Sequence, residues 1–177
     1  MEPRQVRSAA DARAIVEERG VNHVKVGAFD IDGIMRGKYI SRDKFLSSLD
    51  GGFGFCDVVL GWDCQDQLYD NVKYTGWHTG YPDAPVRLLP DTCRLLPFED
   101  NGLFFLGEFS PPGEAVCPRG LLRRVLERAR AMGFEAYVGF EYEFFVFKET
   151  PESVREKNYR DLTPMAPGWF GYSVIRN

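Results

Sequence analysis

The twelve residues Ala136–Phe147, AYVGFEYEFFVF, restrict the fold more than any other stretch of this chain. Read as a strand, Val138, Phe140, Tyr142, Phe144 and Val146 make one apolar face. Gly139, Glu141, Glu143, Phe145 and Phe147 make the other. Residues two apart along a strand are roughly 6.6 Å apart with both side chains on one side. Glu141 and Glu143 would therefore repel each other and be costly to bury unpaired. An arginine, a lysine or divalent cations must compensate them. Hard ions such as Mg²⁺ or Mn²⁺ take oxygen ligands and bridge substrate phosphates, so adjacent carboxylates can seed a two-metal site for phosphoryl chemistry. The same pattern also suits a half-exposed strand whose two glutamates are simply solvated.

Upstream, the spacing predicts a helix from Ser8 to Arg19, capped by Ser8, with Ala12, Ile15 and Val16 inward and Gly20 as the stop. His23–Ile31 and Ile34–Ile40 predict two strands joined by a two-residue turn at Asp32-Gly33. Ser41 caps a second helix that faces Phe45, Leu46 and Leu49 inward and stops at Asp50-Gly51-Gly52. Val58–Leu60 reads as a strand. Gly61–Ala84 then reads as a polar-aromatic loop, of a length that is usually functional. Further strands are expected at Val86–Leu89, Arg94–Leu96 and Leu103–Glu108, and Pro111-Pro112-Gly113 reads as a boundary between two units. A helix from Pro118 to Met132 carries the stripe Leu121, Leu122, Val125, Leu126, Ala129 and Met132, with five arginines on a solvated face. Helices interrupt a mostly antiparallel sheet instead of alternating with every strand, so the expected class is α+β.

Composition narrows the function. A 177-residue chain with 44% hydrophobic residues is too apolar to be disordered and long enough to bury roughly 70% of its unfolded surface without staples. Cys56, Cys64, Cys93 and Cys117 form no CxxC pair, and His23 and His78 are the only histidines; scattered reduced thiols are expected, with no zinc site. At a net charge of −4 the basic residues are not gathered into an aromatic-lined stripe, which argues against nucleic acid as a partner. No apolar run approaches the ~20 residues of a membrane span, and the first twenty residues lack a signal-peptide core; a cytoplasmic location is the expectation. Asp30-Ile31-Asp32-Gly33 is similar to a calcium loop, yet Tyr39 stands where its glutamate belongs, and a hairpin turn accounts for it. His78 has no paired nucleophile and reads as a loop residue.

Gly139–Phe147, GFEYEFFVF, resembles the metal-binding strand of glutamine synthetases, where Glu-x-Glu-Phe-Phe follows a helix opened by Pro-Arg, here Cys117-Pro118-Arg119-Gly120. Leu88–Phe98, LLPDTCRLLPF, resembles the Pro-Asp stretch of that family. Val24–Phe45 resembles the opening strands and hairpin of its N-terminal β-grasp domain, and Asn158–Ser173 the segment after the metal strand. The four stretches lie in the family's order and cover nearly the whole chain. The resemblance is to the type I-like branch, which includes γ-glutamyl-amine ligases.

The resemblance implies an N-terminal helix in 1–20, a β-grasp domain over 21–112, and the start of a catalytic domain over 113–177. It implies an ATP-dependent ligase that joins glutamate to ammonia or another amine through γ-glutamyl phosphate, with Mg²⁺ or Mn²⁺ as cofactor. Glu141 and Glu143 would each bind one of two ions. Asp63 would be the acidic residue that reaches a neighbouring subunit's site in a homo-oligomeric ring and holds the ammonium. The commonest family form has Asp-Gly-Ser-Ser at this point, whereas this chain has Trp62-Asp63-Cys64-Gln65-Asp66; the implied acceptor is therefore ammonia or another amine, as in relatives with altered loops here. At less than half the length of a complete member, the 177 residues alone are expected to be catalytically incomplete, since two glutamates cannot fill two coordination shells. The contrasting expectation is a non-catalytic module that joins or regulates a full-length partner.

Overall fold

In strand β1 (His23–Phe29), Val24, Val26 and Ala28 are buried and alternate with Lys25 and Phe29, which are half-buried, the pattern of a strand with one face on a core. A computed structural model describes residues 1–166 and 168 of the chain. β1 pairs antiparallel with β2 (Met35–Ser41) and parallel with β5 (Leu103–Phe109). β5 pairs with β4 (Asp83–Leu95), and β4 with β3 (Phe53–Cys56), both antiparallel. The five-stranded sheet thus runs β2-β1-β5-β4-β3, and it curls: Lys38 on one edge strand lies over the rings of Phe53 and Phe55 on the other, 5.5 and 5.1 Å from their centroids. The architecture is α+β.

Helices α1 (Ala9–Glu18) and α2 (Arg42–Gly51) pack on the sheet. Each begins where a serine accepts a backbone amide: Ser8 from Asp11, within a capping box, and Ser41 from Lys44. Gly52 ends α2 at a φ of 69°, a left-handed conformation that favours glycine. The core joins Ala12, Ile15 and Val16 of α1 to Phe45 of α2 and to Val24, Val26, Val86, Leu103 and Phe105 of the sheet. The Phe45 and Phe105 ring centroids are 4.7 Å apart, and burying each such side chain contributes about 1.5–3 kcal/mol.

Several expectations are corrected. The β1–β2 connection is five residues, Asp30–Ile34, because the register pairs Phe29 with Met35. The chain leaves the ladder at Asp30, whose buried carboxylate accepts the amides of Asp32 and Ile34 at 3.0 and 2.8 Å. Val58–Leu60 is not a strand: Asp57–Leu60 is a 3₁₀ turn, and β3 lies just before it. The two strands expected at Val86–Leu89 and Arg94–Leu96 are one long strand with a break in register between Leu89 and Arg94. Pro90 has no amide for the ladder there, and the Thr92 hydroxyl accepts the Leu106 amide at 2.8 Å instead.

Helix α3 (Pro118–Ala131) follows the expected bounds closely, but Leu121, Leu122, Val125 and Met132 of its apolar stripe are exposed. The run Ala136–Phe147 does not form the expected strand. Residues 134–146 carry no regular element, and the pairing that does form joins Phe147 to Pro164. A strand exists only as part of a ladder, and apolar alternation alone does not supply the partner. Met1–Ala136 and Tyr137–Asn177 form two units. In the second, α4 (Pro151–Glu156) is capped by Thr150, which accepts from the Ser153 amide.

Candidate functional site

The loop expected over Gly61–Ala84 is built around a small hairpin at its start. Trp62 bridges Leu68, and the Tyr69 amide donates to the Gly61 carbonyl at 2.9 Å. Within it, the Asp63 amide donates to the Gln67 carbonyl and the Asp66 amide to the Asp63 carbonyl, both at 3.0 Å. Asp63 Oδ1 accepts the amides of Gln65 and Gln67 at 2.8 and 2.9 Å. Asp63 is half-buried, while residues 64–69 are exposed. Polar bonds, not burial, shape this turn.

Those bonds converge on Arg36 of β2. Its Nε donates to Asp30 Oδ2 at 2.7 Å, Nη1 to Asp66 Oδ1 at 2.6 Å and Nη2 to the Asp63 carbonyl at 3.4 Å. Its guanidinium lies 4.9 Å from the centre of the Trp62 ring. The Asp30 carboxylate holds the Arg36 pKa above its ordinary value. Desolvation and then the Asp32 carboxylate, 3.5 Å from the hydroxyl, push the Tyr69 phenol up. Further along, the loop is pinned by buried Thr75, whose hydroxyl donates to buried Asp57 at 2.5 Å. His78 contacts the Lys73 carbonyl at 3.2 Å, a loop role. Trp77 stacks edge-on against Tyr81 with centroids 5.4 Å apart.

Glu141 and Glu143 lie in the second unit, two residues apart and both exposed, between the exposed side chains of Phe140, Tyr142 and Phe144. Asp63 belongs to the first unit. Among the described residues no three of His, Cys, Asp and Glu come together closely enough to hold a metal ion. The pair offers oxygen donors of the kind that Mg²⁺ or Mn²⁺ prefers, and it fits such ions as part of a larger ligand set.

The sequence singled out neither Arg36 nor Asp30 as a contact pair, nor Glu149. Glu149 accepts from Lys157 Nζ, Ser153 Oγ and the Thr163 amide, each at 2.6 Å, and these bonds hold its carboxyl down at about 2. Of the arginines on α3, Arg123 is not merely solvated: it pairs with buried Glu108 at 2.5 Å and with Glu114. Arg87 completes the Glu108 pairing at 2.9 Å. Beside Glu108 a cavity of about 240 Å³ is lined by Arg119, Leu122, Arg123, Leu126 and Arg130. The four cysteines are free, and burial pushes the Cys93 thiol up to about 11, which keeps it protonated and inert.

Residues 115–169 match the family of the glutamine synthetase catalytic domain. The chain is 44% identical over 156 residues to type-1 glutamine synthetase 2 of Dictyostelium discoideum, a match covering 86% of this chain and 30% of that protein. It is 32% identical over 172 residues to a glutamate–isopropylamine ligase of a Pseudomonas species, covering 93% of this chain and 37% of that protein. The solved structure of Plasmodium falciparum glutamine synthetase shares the fold, with a TM-score of 0.50 at 16% identity over 71% of this chain and 23% of that one. The chain spans about a third of the length of the curated relatives it matches. The helix opened by Pro118-Arg119 and the Glu141/Glu143 run both fall inside the matched catalytic segment, and the sheet and the Asp63 loop fall inside the longer matches; the chain belongs to the glutamine synthetase family.

Proposed function

We propose that the chain forms the amine-side and first metal-binding elements of an ATP-dependent ligase that joins glutamate to ammonia or another amine through γ-glutamyl phosphate. In this reading the curled sheet belongs to a β-grasp domain over 21–112, after an N-terminal helical region over 1–20, and 113–177 open the catalytic domain. The matches to a glutamine synthetase and to a glutamate–isopropylamine ligase support the reaction class.

Glu141 and Glu143 would hold one divalent ion each, completed by ligands from elsewhere in the enzyme. When bound, Mg²⁺ or Mn²⁺ would screen the charge between phosphate oxygens and the glutamate carboxylate. Asp63 would hold the cationic form of the amine. Its Oδ1 is committed to two backbone amides, and Oδ2 accepts no hydrogen bond among the described residues. That fixed carboxylate with one open oxygen is the observation that carries the amine-side assignment. A cation beside it is favoured electrostatically, and Cys64, Gln65 and Asp66 in place of the family's Gly-Ser-Ser favour an amine other than ammonia. The working form is a cytoplasmic homo-oligomeric ring in which Asp63 serves a neighbouring subunit's site. Among the described residues, no helix is long and apolar enough to cross a membrane.

The test is phosphate release from ATP by the enzyme, with glutamate and a panel of amines that includes ammonia, methylamine, isopropylamine and ethanolamine. Release that depends on both glutamate and one amine supports the reading; release with none of them contradicts it.

A further inference from the structure

Asp63 sits on a turn that buries almost nothing, yet its conformation is fixed, and the means of fixing it is on the opposite edge strand's hairpin. Asp30 is fully buried. Its Oδ1 is held by the amides of Asp32 and Ile34, so its Oδ2 points one way only, at Arg36 Nε, 2.7 Å distant. The guanidinium is planar and rigid. Once Nε is set on Asp30, the two terminal nitrogens are directed at the Asp63 loop, where they meet the Asp66 carboxylate and the Asp63 carbonyl. Trp62 covers the face of the guanidinium, and the Arg36 side chain as a whole is only 20% exposed.

The segment Gly61–Tyr69 contains no lysine or arginine of its own. Asp63 and Asp66 would therefore stand as like charges near buried Asp30 if Arg36 were absent. Asp66 has a φ of 63°, a left-handed conformation that aspartate adopts where its short side chain is held locally, and here its Oδ1 is held by Arg36 Nη1 at 2.6 Å.

We propose that Arg36 is a positioning residue for the amine: it holds the Asp63 loop in the conformation that leaves Asp63 Oδ2 open toward a cationic amine. The inference rests on the ligase reading above and deepens it. Lysine cannot replace the fork, because a single ammonium does not span Asp30, Asp66 and the Asp63 carbonyl together.

Two measurements on the full enzyme test it. In hydrogen exchange, Arg36→Met is expected to release the amides of Gln65 and Gln67 about tenfold or more, while core amides such as Val26 and Phe105 keep their protection. In kinetics, the KM for the amine is expected to rise about tenfold, with the KM for glutamate and the rate of γ-glutamyl phosphate formation unchanged. Arg36→Lys should fall between Arg36→Met and wild type in both. Asp66→Asn removes one leg of the clamp at a position where asparagine tolerates the left-handed backbone, and it serves if Arg36→Met does not fold. Unchanged exchange at Gln65 and Gln67 in these variants overturns the clamp. Faster exchange with an unmoved amine KM, or with all kinetic constants falling together, overturns the role toward the amine. A wild-type enzyme that uses no amine contradicts the ligase reading itself, and the exchange measurement then still decides whether Arg36 holds the loop.

Discussion

Lys38 Nζ donates to the Gly54 carbonyl at 3.2 Å and so ties β2 to β3, the two opposite edges of the sheet. Edge strands expose unpaired backbone groups that invite association. Here a charged side chain from one edge satisfies a carbonyl on the other and sits over Phe53 and Phe55. The sheet bends toward closure without a complete ladder.

Lys38→Ala removes one hydrogen bond and two cation–π contacts at an exposed position. The expected loss is about 1 kcal/mol, read as a lower midpoint in urea with an unchanged slope. A change in slope would mean that Lys38 shapes more than the two edges.

Asp30→Ala should be far more damaging than Asp32→Ala. Asp30 is fully buried and serves Arg36 and two amides, whereas Asp32 is exposed. Breaking a buried pair by removing one partner costs about 3 kcal/mol or more, while a surface change stays within about 0.5 kcal/mol. Equal effects in denaturant unfolding would contradict the placement of Asp30.

Glu149 sets an acid limit on the second unit. Hydrogen bonds from Lys157, then from Ser153 and the Thr163 amide, lower its pKa from 4.5 to about 2. A carboxyl lowered in the folded state contributes stability that is complete above its unfolded value and fades as pH falls from about 4.5 toward about 2. Protection of the Thr163 amide should follow that course, and Lys157→Ala should move the loss to higher pH. Protection that fails above pH 5 would assign the acid limit to another group.

The parts of the fold legible in the sequence are those fixed by neighbours along the chain. Ser8 and Ser41 cap their helices through amides three residues on, and Gly52 ends α2 locally. What escaped was set by contacts across the fold. Asp32-Gly33 looked like a two-residue turn because the demand of a buried Asp30 for three donors is invisible without Arg36 beside it. Val58–Leu60 reads as a strand from sequence while Phe53–Cys56 is the one that forms, since a short apolar run has no period to tell strand from turn. For the site, alternation puts Glu141 and Glu143 on one face only of a strand, and no strand forms over 134–146; Asp63 is singled out by the family resemblance alone. The one available signal for Arg36 was indirect: an acidic loop, WDCQD, with no cation of its own.

Asp63→Ala should separate the two half-reactions. Use of the amine should drop by about a hundredfold while γ-glutamyl phosphate still forms, because on the proposed reading the carboxylate meets only the second substrate. Equal loss of both steps would make Asp63 a structural residue of its loop.

On the proposed reading, Glu141 and Glu143 hold divalent ions for transfer of phosphate from ATP to glutamate. The most direct test of that role is phosphate release from ATP in the presence of glutamate and the preferred amine, with Mg²⁺ or Mn²⁺, by the wild-type enzyme and by Glu141→Ala and Glu143→Ala. Wild type should release phosphate only with metal present, and each variant should lose about 10³-fold or more in kcat while its thermal unfolding is unchanged. Activity retained in either variant, or undiminished by removal of the metal, would contradict the account.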